Sequence, residues 1–290
     1  MAAAGTPADL ELGVAPLSAL DLSVIDYVRG AAAAGFTSVG LRVEPVLGSD
    51  PHFPRDMRSS AFIELEQEVR ESGLAVLDIE VFSVSPTTTR DAWLPVLEIG
   101  ERLGARYLNV VGDHPDLSAF SDLVGQLTAD ARAFGIAPVL EPVAYRPLND
   151  FGIAAEIADA TGCHVELDLL HFLRTGAGLG LIDLRPDLFP LVQLCDAPAT
   201  LDRTDQALWE AAGPGAGEAD LPVAESRAYR LLPGDGDAPL REIWSALGPS
   251  VPLSVEVPNH RLRGDRSGSA YLQLLHDATV EAWQRVTAQD

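Results

Sequence analysis

The chain has 290 residues, 47% hydrophobic and 22% charged, and its 20 basic against 43 acidic side chains give a formal net charge of −23; such a composition fills a core and excludes wholesale disorder. All 20 basic residues are arginine, which excludes Schiff-base aldolase, pyridoxal-phosphate and Walker A chemistry, each of which needs a lysine. The acidic balance, with arginines scattered singly, would repel a phosphate backbone, so nucleic acid is not an expected partner.

Taken in chain order, short β-rich runs alternate with longer amphipathic ones. LELGV (10–14) is followed by the helical pattern DLSVIDYVRGAAAAG, SVGLRV (38–43) by AFIELEQEVRESG, and AVLDIEV (75–81) by DAWLPVLEIGERLG. YLNVV (107–111) is followed by LSAFSDLVGQLTADARAFG and PVLEP (138–142) by DFGIAAEIADATG. HVELDL (164–169), LVQLC (191–195) and LSVEV (253–257) bring the strand candidates to eight. Several helical patterns end in glycine just after the last periodic position, as a C-cap requires. Eight strand–helix units at roughly 30-residue spacing predict a (β/α)8 TIM barrel, with 1–290 as a single domain. A doubly wound open sheet is the alternative, without a G-x-G-x-x-G after the first strand to support it.

The main departure from regular spacing is 196–237, a long loop after strand seven that exceeds what a simple connection needs. Loops at this end of a barrel build the active site, so the segment is expected to form a lid or a substrate wall, with GPGAG as a hinge. No stretch reaches the ~20 apolar residues of a membrane span, and MAAAGTPADLELG lacks the regions of a signal peptide. The expectation is a cytoplasmic protein with no membrane partner. Cys163 and Cys195, the two cysteines, are expected to be reduced core thiols.

Each of the last four strand candidates carries an oxygen-bearing side chain at or near its C-terminal end: Glu141, Asp168, Gln193 and Glu256. A barrel converges these positions on one mouth. Any one of them reads equally as a helix cap or a surface charge. Four on consecutive strands, in apolar contexts where an uncompensated charge costs several kcal/mol, point to a bound divalent cation.

With VLEP, ELDLLHFLRTG, FPLVQLCDAP, YRLLPGDGD and PLSVEVPN, the chain resembles the xylose isomerase-like barrel superfamily: the sugar phosphate isomerases and epimerases with their dehydratase and endonuclease IV relatives. The resemblance covers nearly the whole chain and is densest from residue 138 onward. It implies that one metal is held by Glu141, Asp168, Gln193 and Glu256, that Glu141 and Glu256 also act as acid and base, and that His171, in a D-x-x-H with Asp168, lies near the substrate. Relatives that epimerise ketohexoses have histidine where this chain has Gln193; inosose dehydratase-like and 3-dehydroshikimate dehydratase-like relatives look more like this chain. An all-oxygen set suits Mn²⁺ or Mg²⁺ better than Zn²⁺, which argues against the trinuclear zinc chemistry of endonuclease IV.

The function this implies is a divalent-metal-dependent sugar isomerase or epimerase that abstracts a proton α to a carbonyl in a keto sugar or cyclic polyol-derived substrate. Loss of a β-hydroxyl from the same enolate would make it a dehydratase. The competing class is a barrel that binds without catalysis or works only with another subunit, and a homo-oligomer is compatible with either. His171 is a candidate substrate contact or proton carrier, and Arg230 a candidate for a substrate hydroxyl, carboxylate or phosphate. Glu80, Arg42, Glu44 and His114 sit where a barrel would aim them at the pocket, and Asp196 could orient a ligand from behind. HRLRGDR (260–266) could attract an anion. Each of these alone also reads as structural or solvated. Asp168→Ala is expected to lose metal without unfolding the barrel, on the reading that Asp168 lies at a strand end rather than in the core.

Overall fold

The structure is a computed structural model that describes residues 10–46 and 50–288; positions 1–9, which open the segment read for a signal peptide, lie outside the described residues. Parallel strands β1 (Leu12–Val14), β2 (Ser38–Arg42), β3 (Ala75–Val84), β4 (Tyr107–Gly112), β5 (Ala137–Glu141), β6 (His164–Val165), β7 (Leu167–Asp168), β8 (Val192–Leu194) and β9 (Leu253–Val255) pair in the order β6-β5-β4-β3-β2-β1-β9-β8-β7. The two ends of this order, β6 and β7, are halves of one run parted at Glu166. The Glu166 N–H donates to Leu140 O on the β5 side (2.8 Å), and the Leu167 N–H donates to Leu191 O on the β8 side (3.2 Å). The sheet closes through this residue, so the eight predicted strand positions make a barrel and the open-sheet alternative falls. The sixth candidate ends earlier than read, because the Asp168 side chain accepts from the His171 N–H (2.9 Å) and opens a helix at Leu169.

Helices α1 (Val24–Ala34), α2 (Ser60–Ser72), α3 (Arg90–Leu103), α4 (Leu117–Ala131) and α5 (Phe151–Thr161) follow the first five strands where the periodicity places them. Ser23, Ser59, Asp116 and Asp150 supply side-chain N-caps. Gly35 ends α1 at φ +99°, a conformation that costs a side-chain-bearing residue free energy. After β7 come α6 (Leu169–Thr175) and α7 (Gly180–Leu184), then α8 (Gln206–Ala212) and α9 (Leu221–Ala228) within the long segment. Helices α10 (Leu240–Leu247), α11 (His260–Arg263) and α12 (Gly268–Thr287) complete the chain, and α12 packs on α1 to close the outer ring.

The strands are almost wholly buried, as expected when helices cover the outside and the barrel interior lies within. Alternate residues line that interior. Where Asp78 comes close to β2 the facing residue is Gly40, at which a Cβ would sit 2.8 Å from Asp78 Oδ1. Small residues on one strand thus make room for carboxyl groups on the next.

The 196–237 segment is not an irregular loop. Helices α8 and α9 pack around Leu208, Leu221 and Ala224 in a small core of their own. Asp196 fastens the base: Oδ1 accepts from the N–H of Ala197 (2.8 Å) and Ala238 (2.9 Å), and Oδ2 from that of Gly234 (3.0 Å). Arg174 on α6 grips Glu225 on α9 through two hydrogen bonds (2.7 and 2.5 Å) and donates to Pro198 O (2.9 Å). Among the described residues no helix is long and apolar enough to cross a membrane. Both cysteines are free and buried, as read.

Candidate active site

The barrel brings Glu141, Asp168, Gln193 and Glu256 to its C-terminal mouth. All four are buried, and Asp168 pairs in register with Gln193 across β7 and β8. In their midst lies a residue from the insertion. Arg230 is almost fully buried; its Nη1 lies 2.5 Å from Asp168 Oδ2 and its Nη2 lies 2.8 Å from Glu256 Oε2. Its Nε donates to Ser226 O (2.9 Å), and Asn259 Nδ2 donates to the Arg230 carbonyl (2.7 Å). One guanidinium thus supplies positive charge between two of the four expected metal ligands. It holds the Asp168 carboxyl below its ordinary range against the opposing effect of burial. Glu256 is pushed well up by burial and neighbouring carboxylates, with Arg230 opposing.

Glu141 ends β5, and its Oε2 accepts from Asn109 Nδ2 (2.9 Å). Oε1 faces His171 Nε2 at 3.6 Å. Burial, and after it the Asp168 charge, raises the Glu141 carboxyl to about 7. His171 is the mirror case: burial lowers it to about 4. Its Nδ1 accepts from the Ala144 N–H (3.5 Å), which assigns the proton to Nε2, on the side of Glu141. The ring stands edge-on to Tyr145, 5.5 Å between centroids.

Below this layer the barrel is acidic. Asp78, Glu80 and Glu166 are all buried, and burial drives the carboxyls of Asp78 and Glu166 well above their ordinary values. Asn109 donates to Glu166 as well as to Glu141, tying the floor to the mouth.

A small cavity opens above the site, and Glu141, His171, Arg230 and Glu256 line it together with Arg42. Asp168 and Gln193 are buried and absent from its lining. Glu80 is held by Arg42 (2.7 Å) and is likewise not among the lining residues. His114 serves a turn, where its Nδ1 accepts from the Asp116 N–H (3.0 Å), and it does not line the cavity. Glu44 pairs with Arg55 at 2.6 Å. Asp196 fastens the insertion and touches none of the four ligands, contrary to the orienting role read for it. The arginines of HRLRGDR are engaged as well: Arg261 with Asp205 (2.6 Å), Arg263 with Asp21 (2.5 Å). Asp168 does end β7, but it is completely buried, caps α6 and pairs with Arg230, so the premise that it lies outside the core, on which a harmless Asp168→Ala change rested, does not hold.

Sequence reading missed Asn109, Glu166, Tyr145, Ser226, Arg146 and Arg227. The first two carried a signal: each is a polar residue in an apolar strand, and Glu166 shares the face of Asp168 at period two. Ser226 and Arg227 lie on α9, within a segment that offered no strand to count from.

The residues fit a divalent cation. Glu141, Asp168 and His171 present ligand atoms all within 4.8 Å of one another. Gln193 Oε1 is buried with no hydrogen-bond donor, the state of a carbonyl that a cation would satisfy.

The chain is a closed α/β barrel with buried carboxyl groups converging at its C-terminal mouth, and it shares this fold with solved xylose isomerase-like TIM barrel proteins. No family model and no curated protein matches the sequence. Solved structures do. A xylose isomerase-like TIM barrel/4-hydroxyphenylpyruvate dioxygenase fusion protein superposes with a TM-score of 0.72 at 19% identity over 97% of this chain, which spans 43% of the fusion protein. The IolI protein, whose structure holds a zinc atom, gives 0.68 at 15% identity, covering 97% of each chain. D-allulose 3-epimerase from Methylomonas sp., in complex with D-allulose, gives 0.61 at 15% identity over 98% of this chain and 99% of the other. At these identities the likeness establishes the fold.

Proposed function

We propose that this chain is a single-domain, divalent-metal-dependent isomerase or epimerase that abstracts a proton α to a carbonyl in a keto sugar or cyclic polyol-derived substrate. The observation that carries the reading is that two buried carboxyl groups, Glu141 and Glu256, line one solvent-open cavity, each on a different barrel strand position. Glu141, poised at about 7, can both take and return a proton at neutral pH. Asn109 fixes its Oε2, leaving Oε1 toward His171. The neutral His171 ring donates from Nε2 and orients the carboxylate or a substrate oxygen. Glu256 would return the proton on the other face for an epimer. Where a β-hydroxyl leaves the enolate instead, the product is that of a dehydratase.

Glu141, Asp168, Gln193 and Glu256 would hold the cation, and their oxygen donors favour Mn²⁺ or Mg²⁺. When bound, the cation would polarise the substrate carbonyl and acidify the adjacent carbon. The zinc atom in IolI and the sugar bound to D-allulose 3-epimerase, on the same fold, support the cation and the substrate class respectively.

Metal-loaded protein incubated with keto sugars and inososes in D₂O tests the reading. Solvent deuterium should enter the carbon α to the carbonyl of a true substrate. Glu141→Gln and Glu256→Gln should each abolish exchange on one face only, with metal content measured beside the rate. Product that retains substrate hydrogen at that carbon would indicate a hydride shift. Metal bound without exchange in any candidate would leave a binding barrel.

A further inference from the structure

The floor of the barrel, below the mouth, is short of donors. Asp78 and Glu80 stand two apart on β3 and share its inner face. Ile79 pairs with Leu108 and Phe82 with Val110, so Glu80 and Val81 together stand opposite Asn109 on β4. Asn109 gives its nitrogen to Glu141 and Glu166. Asp78, Glu80, Asn109 and Glu166 are all buried, and both oxygens of Asp78, Oε2 of Glu80, Oε1 of Glu166 and Oδ1 of Asn109 have no hydrogen-bond donor. Of the four side chains Glu80 has an arginine, through Oε1 to Arg42 (2.7 Å), and Glu166 has the Asn109 amide. Gly40 leaves β2 bare beside Asp78, where a Cβ would come within 2.8 Å of Oδ1.

Orphaned buried acceptors of this kind call for a proton or a cation. A proton bridges one pair of oxygens, whereas a cation gathers several at once, the neutral amide oxygen of Asn109 included. Among the described residues, three carboxylate or imidazole ligand atoms come within 4.8 Å of one another at Glu141, Asp168 and His171 and nowhere on the floor, so the floor oxygens are set wider than a small divalent ion needs. Mg²⁺ and Ca²⁺ also draw on water to complete their shells, and a fully buried floor does not supply it. A large alkali ion has longer bonds, a looser geometry and a single charge, and protein oxygens can replace its hydration shell.

We propose that the barrel floor binds one potassium ion among Asp78, Glu80, Asn109 and Glu166, beneath the mouth and separate from it. The ion would hold Asn109 by its oxygen and, through its nitrogen, the Glu141 carboxyl. The site goes beyond the catalytic reading and does not depend on it.

Thermal denaturation of the full chain in potassium, sodium and tetramethylammonium chloride at one ionic strength, each with and without saturating Mn²⁺, tests it. The midpoint should lie about 3 °C or more higher in potassium than in tetramethylammonium, with sodium between them, and should climb with the logarithm of potassium concentration. The advantage should persist in Mn²⁺, which would displace an alkali ion merely lodged at the mouth. Asp78→Asn and Glu166→Gln, each nearly isosteric, should bring the three salts to within about 1 °C of one another. Anomalous scattering from crystals soaked in thallous ion, a heavy substitute for potassium, places the site in the unaltered protein whether or not either variant folds. A midpoint in potassium no higher than in the other two salts, an advantage that Mn²⁺ abolishes, or no thallium peak among the four side chains would each overturn the proposal and leave protons as the partners of the floor carboxyls.

Discussion

Arg230 Nη1 lies 2.5 Å from Asp168 Oδ2, joining the insertion to the end of β7 across 62 residues of chain. The same guanidinium reaches Glu256 on the far side. One guanidinium set between two carboxylates offsets the cost of burying them together, and it makes the insertion part of the site.

Arg230→Met should therefore destabilise the metal-free protein by about 3–5 kcal/mol, the cost of leaving buried charges unpaired. Millimolar Mn²⁺ should recover most of the loss, since the freed carboxylates would pair with the ion. Urea denaturation with and without metal reads both effects. A variant as stable as the parent without metal would show that the ion pairs contribute little.

Metal uptake should depend on pH through Glu141, whose carboxyl keeps its proton up to about 7. Below that pH, binding must expel a proton, so apparent Mn²⁺ affinity should rise about tenfold per pH unit and level off above it. The folded value exceeds the ordinary 4.5, so the stability Glu141 contributes is fully present below 4.5 and lost as pH rises through about 7. Electron paramagnetic resonance titration of free Mn²⁺ between pH 5.5 and 8.5 measures the slope, which Glu141→Gln should flatten.

His171 should behave in the opposite sense. Its folded value of about 4 lies below the ordinary 6.5, so its contribution is present above 6.5 and lost as pH falls through about 4, by roughly 3 kcal/mol at most. Nitrogen-15 spectra of the imidazole should show the neutral Nε2–H form throughout pH 5 to 8. A charged ring at pH 6 would contradict the burial argument.

The insertion should act as a fixed wall. With Asp196 binding its base and Glu225 held by Arg174, limited proteolysis should cut within 213–217 and spare α8 and α9, equally with and without ligand. Glu225→Gln should accelerate cleavage. Protection on ligand addition would restore the closing motion expected from GPGAG.

How much of this was legible in the sequence varies element by element. LSVEV and LVQLC announce buried parallel strands because both faces of a barrel strand exclude water, and the oxygen-bearing residue near each C-terminal end stands out against that background. Glu141, Asp168, Gln193 and Glu256 were found by that contrast. The same contrast marks Asn109 and Glu166, but nothing in a single strand says that an amide will bridge two carboxyls on the next positions of the barrel.

The sequence by itself determined the strand–helix repeat, the converging acids and the chemistry that a lysine-free chain excludes, because periodicity, capping and residue type are local properties. Tertiary structure alone decided that Arg230 would lie between Asp168 and Glu256, that His114 and Asp196 would serve turns, and that Arg42 and Arg227 would meet over one carboxylate. Those outcomes depend on burial and on charges brought together from distant segments, and electrostatic energy in a low-dielectric interior is fixed by separation in space rather than along the chain.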